Sequence, residues 1–295
     1  MKIRKGGILF FDSGIGGLTV LNETLARFSN QVFLYYGDND HAPYGNLSAF
    51  EIQRRVDEVF REMEDHEISL AVLACNTATA ICAEALRARY AYPIVGAEPA
   101  ILPAMKAGGE VLVLATRATC ESARFRALCE KAQRAYSNAT LELFACEGLA
   151  GKIEKEIGNG GWEIAPYLPE KKPTSIVLGC THYVYAKKEI EGFYGCPVYD
   201  GNAGIATRVQ SILKRQTTIN HFDRDGQPLK TPTFNSGDAW ADFLRKNGRK
   251  GPRICENKAK ESLLIDEKNN RIFFLGTQKK RNKHVFEQMF ANIRK

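Results

Sequence analysis

Two short segments carry residues suited to moving protons. LAVLACNTATA places Cys75, Asn76 and Thr77 after an apolar run, and TSIVLGCTHY places Cys180, Thr181 and His182 after another. A thiolate is a competent base and a neutral thiol a competent acid. One Cys on each side of a cleft can take a proton from one face of a carbon centre and return one to the other face, which inverts the centre. Each Cys also ends a strand-like run ahead of a helix-like one, where free N–H groups and the helix dipole lower a thiol pKa. Those N–H groups, with Asn76, Thr77 and Thr181, are suited to holding a carboxylate. A buried structural role is the plain alternative for a single strand-end Cys; a matched pair fits that role less well.

Other polar residues gather at similar places. Asp12-Ser13-Gly14-Ile15-Gly16-Gly17 closes the first apolar run. Asp12 and Ser13 are placed to face a substrate, and the glycines let backbone approach an anion. A dinucleotide fingerprint is the rival reading: Gly14-x-Gly16 begins one and Asp38 sits near the ribose position. Thr19, however, stands where the third glycine or alanine belongs. His182 is placed to polarise the Cys180 side or to bind substrate. His41 and Pro43-Tyr44-Gly45 form a loop that a simple turn explains. Glu154, taken alone, is a solvated charge.

Elements that could position these residues alternate along the chain. Strands are expected at 7–14, 32–38, 70–75, 110–116, 140–146 and 175–180. Helices are expected at 48–65, with Phe50, Val56, Val59 and Phe60 at helical spacing, and at 77–90, 120–136, 183–194 and 207–216, with a short one in GLAGKIEKEIG. Asp12 and Thr116 lie 104 residues apart (12 to 116), and Cys75 and Cys180 lie 105 apart (75 to 180). The agreement predicts two similar α/β halves. In such folds functional residues collect beyond the carboxyl ends of the strands. That edge would hold Asp12, Cys75, Thr116 to Thr119 and Cys180. Beyond 216, TPTFNSGDAWADFLRKNG reads as a strand, a turn at Ser236-Gly237-Asp238 and a helix. ESLLIDEKNNRIFFLGT reads as a hairpin around Lys268-Asn269-Asn270, and the end as a basic helix with Val285, Phe286, Met289 and Phe290 on its apolar side.

Composition sets outer limits. The 295 residues suffice for one large domain or two smaller ones. The apolar run in MKIRKGGILFFDSG is too short for a signal peptide, and no run nears the roughly 18 apolar residues of a membrane span. A cytoplasmic protein is expected, with no membrane association. Of the eight cysteines, Cys82, Cys120, Cys129, Cys146, Cys196 and Cys255 read as small apolar fillers, and the absence of C-x-x-C pairs predicts reduced thiols rather than disulfides or zinc ligands. The net charge of +7 is weighted toward the C-terminus, as in KKRNKH at 279–284. This permits weak association with anions, but no nucleic-acid motif accompanies it.

Taken in order, FDSGIGGLTVL (11–21), PYGN (43–46), ACNTATA (74–80), ATRATCES (115–122) and GCTHY (179–183) resemble the motifs of the cofactor-independent glutamate racemases, within the aspartate/glutamate racemase superfamily. They cover roughly the first 210 residues, and SGD at 236–238 resembles that family's closing motif. The resemblance implies two parallel-sheet α/β domains related by a pseudo-twofold axis, with the active site between them. The first would comprise 1–97 plus 207–295, with an extension after about 250, and the second 98–206. It implies interconversion of L- and D-glutamate for peptidoglycan, with no metal, pyridoxal phosphate or nicotinamide. Cys75 and Cys180 match the catalytic thiols, and Asp12, Glu154 and His182 the assisting groups. Ser13, Tyr44, Gly45, Asn76, Thr77, Thr119 and Thr181 match substrate contacts, with Asp12 and His182 touching substrate too.

Three features depart from the family pattern. ACEGLAGKIE lacks the proline that usually follows its cysteine, so Glu154 is matched by counting eight residues past Cys146. Val184 replaces a common proline, and the chain runs longer after about 250. A homodimer is the expected assembly. Two alternatives stay open at this point: aspartate racemase or another superfamily racemase, and a regulatory role in which the basic C-terminal segment binds DNA or a protein. Some racemases of the family are associated with inhibiting DNA gyrase.

Overall fold

A computed structural model describes residues 6–158, 163–219, 263–268 and 270–290. The expected elements around Ser236-Gly237-Asp238, together with Cys255 and Asn269, lie outside the described residues.

Two parallel sheets organise the chain. The first is built on β1 (Gly7–Asp12), flanked by β2 (Val32–Gly37) and β3 (Ile68–Leu73), with β4 (Ile94–Gly96) beyond β3. The second is built on β5 (Gly109–Ala115), flanked by β6 (Ala139–Ala145) and β7 (Ser175–Gly179), with β8 (Val198–Tyr199) beyond β7. The orders β4-β3-β1-β2 and β8-β7-β5-β6 are the same, four strands on. The repeat expected from the spacing is therefore a repeat of topology, and it puts Cys75 after β3 and Cys180 after the equivalent β7.

Strands β1 and β7 and the body of β5 are buried on both faces and are apolar rather than alternating, whereas β6, at the edge of the second sheet, alternates with exposed Thr140 and Glu142. Along β1, Ile8 and Phe10 enter one core while Leu9 and Phe11 enter the other. Along β5, Leu112 and Leu114 face one core and Val111 and Val113 the other. Helices α1 (Gly17–Leu25), α2 (Ala49–Glu62) and α3 (Asn76–Arg89) cover the first sheet. Ser48 and Glu51 form a reciprocal capping box at the start of α2. The buried stripe of α2 is Ile52, Val56, Val59 and Phe60. Phe50 was expected on that stripe but is 75% exposed, because at about 100° per residue it lies roughly half a turn round the helix from Ile52 and Val59.

Other departures are local. α4 (Ile101–Ala107) falls in a stretch with no expected element, and β4 and β8 are too short to announce themselves. The single helix expected at 120–136 is two, α5 (Arg117–Glu121) and α6 (Ala123–Ala135). Ser122 is extended between them, and its hydroxyl accepts from Phe125 N–H to cap the second. α7 (Leu149–Glu156) follows β6. The segment after Cys180 is a 3₁₀ turn, Thr181–Ala186, before α8 (Lys187–Tyr194).

The chain then returns to the first sheet. In α9 (Asn202–Ile219), Ile205, Val209 and Leu213 pack into the core with Leu18, Leu21 and Leu25. The hairpin of β9 (Leu263–Ile265) and β10 (Arg271–Leu275) adds two strands beside β2, with β10 parallel to it. Asn270 is fully buried and ties this hairpin to the chain ahead of β2: it accepts from Gln31 N–H at 3.0 Å and donates to Phe28 C=O at 3.0 Å. Helix α10 (Lys279–Phe290) closes the first core with Val285, Phe286 and Phe290, leaving Met289 partly buried.

Phe274 is fully buried in β10, its ring 6.1 Å from Tyr35 and 5.9 Å from Phe286. Phe274→Ala is expected to cost about 3–5 kcal/mol, the usual range for emptying a buried aromatic site. Urea unfolding followed by circular dichroism checks this; a loss below about 1 kcal/mol would mean that β10 is not part of the core.

Candidate active site

The carboxyl ends of β1, β3, β5 and β7 converge where the two halves meet. The loop after β1 lies against the second half, and its glycines explain how. A Cβ on Gly14 would collide with the Glu154 carboxylate, and one on Gly16 with the Thr181 hydroxyl and the His182 ring. The space that a dinucleotide phosphate would need is filled by side chains of the other half, which removes the fingerprint reading. Tyr35 OH donates to Gly14 C=O at 2.6 Å and Tyr185 OH to Ile15 C=O at 2.9 Å, pinning the loop from both halves.

Cys75 is the N-cap of α3 and is buried. Its Sγ accepts from Ala78 N–H at 3.5 Å, and its S–H donates to Ser13 Oγ at 3.6 Å. The expectation that a helix N-terminus lowers this thiol is reversed. Burial, reinforced by the charges of Asp12 and Cys180, outweighs the Ala78 and Ser13 hydrogen bonds and pushes the thiol up to about 12. Cys180 lies on the second half and is also buried, with Sγ 3.9 Å from His182 Nδ1. It precedes a 3₁₀ turn that its side chain does not cap, so it lacks the helix-terminal donor that Cys75 has.

Asp12 is fully buried at the end of β1. Its Oδ1 accepts from Gly14 N–H at 2.9 Å and its Oδ2 from the Thr181 hydroxyl at 3.1 Å. Burial raises its pKa, against the opposing pull of His182 and the Gly14 N–H. Glu154 is not a solvated charge: it is buried, with Oε2 2.6 Å from His182 Nε2 and 2.9 Å from Ile15 N. Burial works to raise this acid. The His182 bond and charge, with the Ile15 N–H and Asn39 amide, prevail and hold it down at about 2. Burial likewise opposes a charge on His182, but its bonds to Cys180 and Glu154 raise it well above the usual imidazole range.

The remaining candidates line the same seam. Thr77, at the start of α3, meets Thr116 at 3.0 Å and Thr119 at 3.2 Å, and Thr116 donates to Thr119 at 2.9 Å. Three hydroxyls from two halves thus form one ring. Asn76 is buried in the first turn of α3. Gly45 packs on Thr116, where a Cβ would clash with that side chain. Tyr44 is fully buried and donates to Asp38 at 2.7 Å; Arg55 and His41 also hold Asp38. A cleft of about 400 Å³ reaches this seam, lined by Gly45, Thr116, Cys146 and Gly148 among others. A larger cavity, about 890 Å³, lies between β4, α4 and α9 and is lined by none of the candidate residues.

Sequence reasoning missed Asn39, Arg281 and Asn282. Asn39 Nδ2 donates to Glu154 Oε1 at 2.9 Å, Arg281 Nη1 donates to the same oxygen at 2.6 Å, and Asn282 Nδ2 donates to Asn39 Oδ1 at 2.8 Å. They come from elements remote in sequence, and nothing local marks them.

This geometry has known relatives. The family profile described as Asp/Glu/Hydantoin racemase matches residues 18–209. A glutamate racemase of Clostridium novyi (strain NT) is 35% identical over 250 residues, covering 81% of this chain and 94% of that protein. Among solved structures, the Escherichia coli glutamate racemase, in complex with L-glutamate and the activator UDP-MurNAc-Ala, superposes with a TM-score of 0.62 at 28% identity. That match covers 82% of this chain and 95% of the other. The glutamate racemase of Aquifex pyrophilus gives a TM-score of 0.57 at 29% identity over 83% of this chain and 96% of its own. The chain belongs to the aspartate/glutamate/hydantoin racemase family. Among the described residues no helix is long and apolar enough to cross a membrane.

The His182–Glu154 pair makes a pH prediction. His182 is raised, so its contribution to stability is complete below the ordinary imidazole pKa of about 6.5 and is lost only as pH rises through the higher folded value. Glu154 is lowered, so its contribution is complete above about 4.5 and is lost as pH falls toward about 2. In ¹⁵N-histidine spectra at neutral pH, His182 is expected to be doubly protonated. A neutral ring titrating near 6.5 would contradict the geometry.

Proposed function

We propose that this protein is a glutamate racemase that interconverts L- and D-glutamate without a cofactor and supplies D-glutamate for peptidoglycan. The observation that carries the reading is the equivalent placement of Cys75 and Cys180, one after the third strand of each repeat, with the charge of buried Asp12 acting on Cys75 and its carboxylate bonded to Thr181, the residue after Cys180.

In this reading one thiolate takes the Cα proton: the C–H bond breaks, its electron pair moves toward the α-carboxylate, and an S–H bond forms. The opposite thiol gives its proton to the other face and becomes the thiolate. The hydroxyls of Thr77, Thr116 and Thr119, with the N–H groups that open α3, bind the α-carboxylate and stabilise the charge that develops there. Asn76, Ser13, Tyr44, Gly45 and Thr181 complete the substrate contacts. The substrate's ammonium supplies a positive charge that favours a thiolate, offsetting what burial does to Cys75 in the free protein. Asp12 assists on the Cys75 side; His182, charged through Glu154, assists Cys180. The two sheets correspond to two domains, with α9 from Asn202 onward returning the chain to the first. A homodimer in the cytoplasm completes the reading.

Incubation with L-glutamate and separately with D-glutamate, in deuterated water without added cofactor, tests it. Optical inversion with deuterium entry at Cα is expected from both enantiomers, faster than with aspartate. Neither signal from folded, reduced protein would reject a glutamate racemase, and faster turnover of aspartate would reassign the substrate. Cys75→Ala and Cys180→Ala should each abolish racemisation; full activity in either would overturn the two-thiol mechanism.

A further inference from the structure

We propose that Arg281, in the first turn of the C-terminal helix α10, is a positioning residue that fixes Glu154 and, through it, His182 beside Cys180. The inference rests on the reading of Cys180 as one of the two proton-transfer groups, and it adds a part of the chain that the repeat does not contain.

Glu154 is held on both oxygens. Oε2 takes Ile15 N–H and His182; Oε1 takes Arg281 Nη1 at 2.6 Å and Asn39 Nδ2 at 2.9 Å. The second guanidinium nitrogen, Nη2, donates to the backbone C=O of Glu154 itself. That carbonyl lies in the last turn of α7, where the helix cannot satisfy its own acceptors. One planar guanidinium therefore ties down the side chain and the main chain of a single residue, a geometry that a lysine cannot reproduce. Without it, Glu154 keeps its helix and its His182 contact but loses the charged donor on Oε1.

The helix that carries Arg281 cannot easily drift. Val285, Phe286 and Phe290 anchor it in the first core. Asn282, fully buried, donates to Asn39 Oδ1 at 2.8 Å, and Gln278 Nε2 donates to Asp40 Oδ1 at 2.7 Å. Position is thus relayed from the core of the first half, through α10, to an acid on the second half, and on to the imidazole whose Nδ1 lies 3.9 Å from Cys180 Sγ. Among the described residues, the partners of Cys75 are instead the α3 N-terminus and Ser13.

The test is Arg281→Ala, with Arg281→Lys beside it. The alanine variant should lose between about ten- and a hundredfold in kcat, the scale on which small misplacements act, with KM for glutamate nearly unchanged. The lysine variant should recover only part. Enantiomers have equal free energies in water, so kcat/KM must fall by the same factor in both directions and cannot report a face. The Cα-deuterium isotope effect can. Slowing transfer at Cys180 enlarges the effect from the enantiomer that Cys180 deprotonates and shrinks it from the other, whereas a mere loss of folded protein changes neither. A second readout needs no turnover: the His182 Nε2–H proton, protected by Glu154 in the parent, should exchange with water faster in Arg281→Ala. Unchanged isotope effects together with an unchanged His182 proton would overturn the inference, even if kcat fell. If the parent protein does not racemise glutamate, the proposed function fails, and the His182 proton still decides the role of Arg281.

Discussion

Everything at the seam depends on one buried carboxylate. Glu154 belongs to the second half, yet it accepts a backbone N–H from the first half's glycine loop while holding His182 on its own side. An ionised acid in that position is tolerable only because both oxygens are satisfied by donors, two of them charge-assisted. Gly14 is what lets the loop come so near. The same contact therefore joins the halves, orders the loop that carries Asp12 and Ser13, and sets the protonation of the imidazole beside Cys180.

One strand order is built twice, and the two halves are chemically unequal. Equivalent strands deliver equivalent thiols, but Cys75 caps a helix and leans on Ser13, whereas Cys180 starts a 3₁₀ turn and leans on a charged histidine. In the proposed reaction both surroundings meet the same difficulty, which is making a buried thiol exchange its proton readily. One uses main-chain dipoles and a hydroxyl; the other imports a charge relay whose far end sits on the C-terminal helix.

The sequence made the strands, the repeat and the thiols legible for a physical reason. Apolar runs of five to seven residues are self-announcing, and two pairs of like motifs share an offset of about 105 residues because the same strand order is built twice. Phe50 misled because an aromatic near a helical stripe looks like part of it. Ser122 broke a helix whose periodicity continues across the break, because an extended cap costs only one residue. Glu154 was found by counting, and its surroundings were not foreseen: its partners stand at positions 15, 39, 182 and 281, which only the folded chain brings together. The basic C-terminal helix likewise read as a charged surface, while Arg281 and Asn282 turn inward from it.

The ring of Thr77, Thr116 and Thr119 has a consequence of its own. Three hydroxyls hold three protons, and three mutual contacts can use all of them. In that closed circuit no proton is left to offer outward. An arriving carboxylate, which can only accept, must open the circuit by turning one O–H toward itself, and the hydroxyl that loses its donor is left with an idle lone pair. The ring is thus a latch with a proton count: an incoming acceptor gains an O–H only by displacing a neighbouring hydroxyl. Because its members come from both halves, the opening is also felt across the seam.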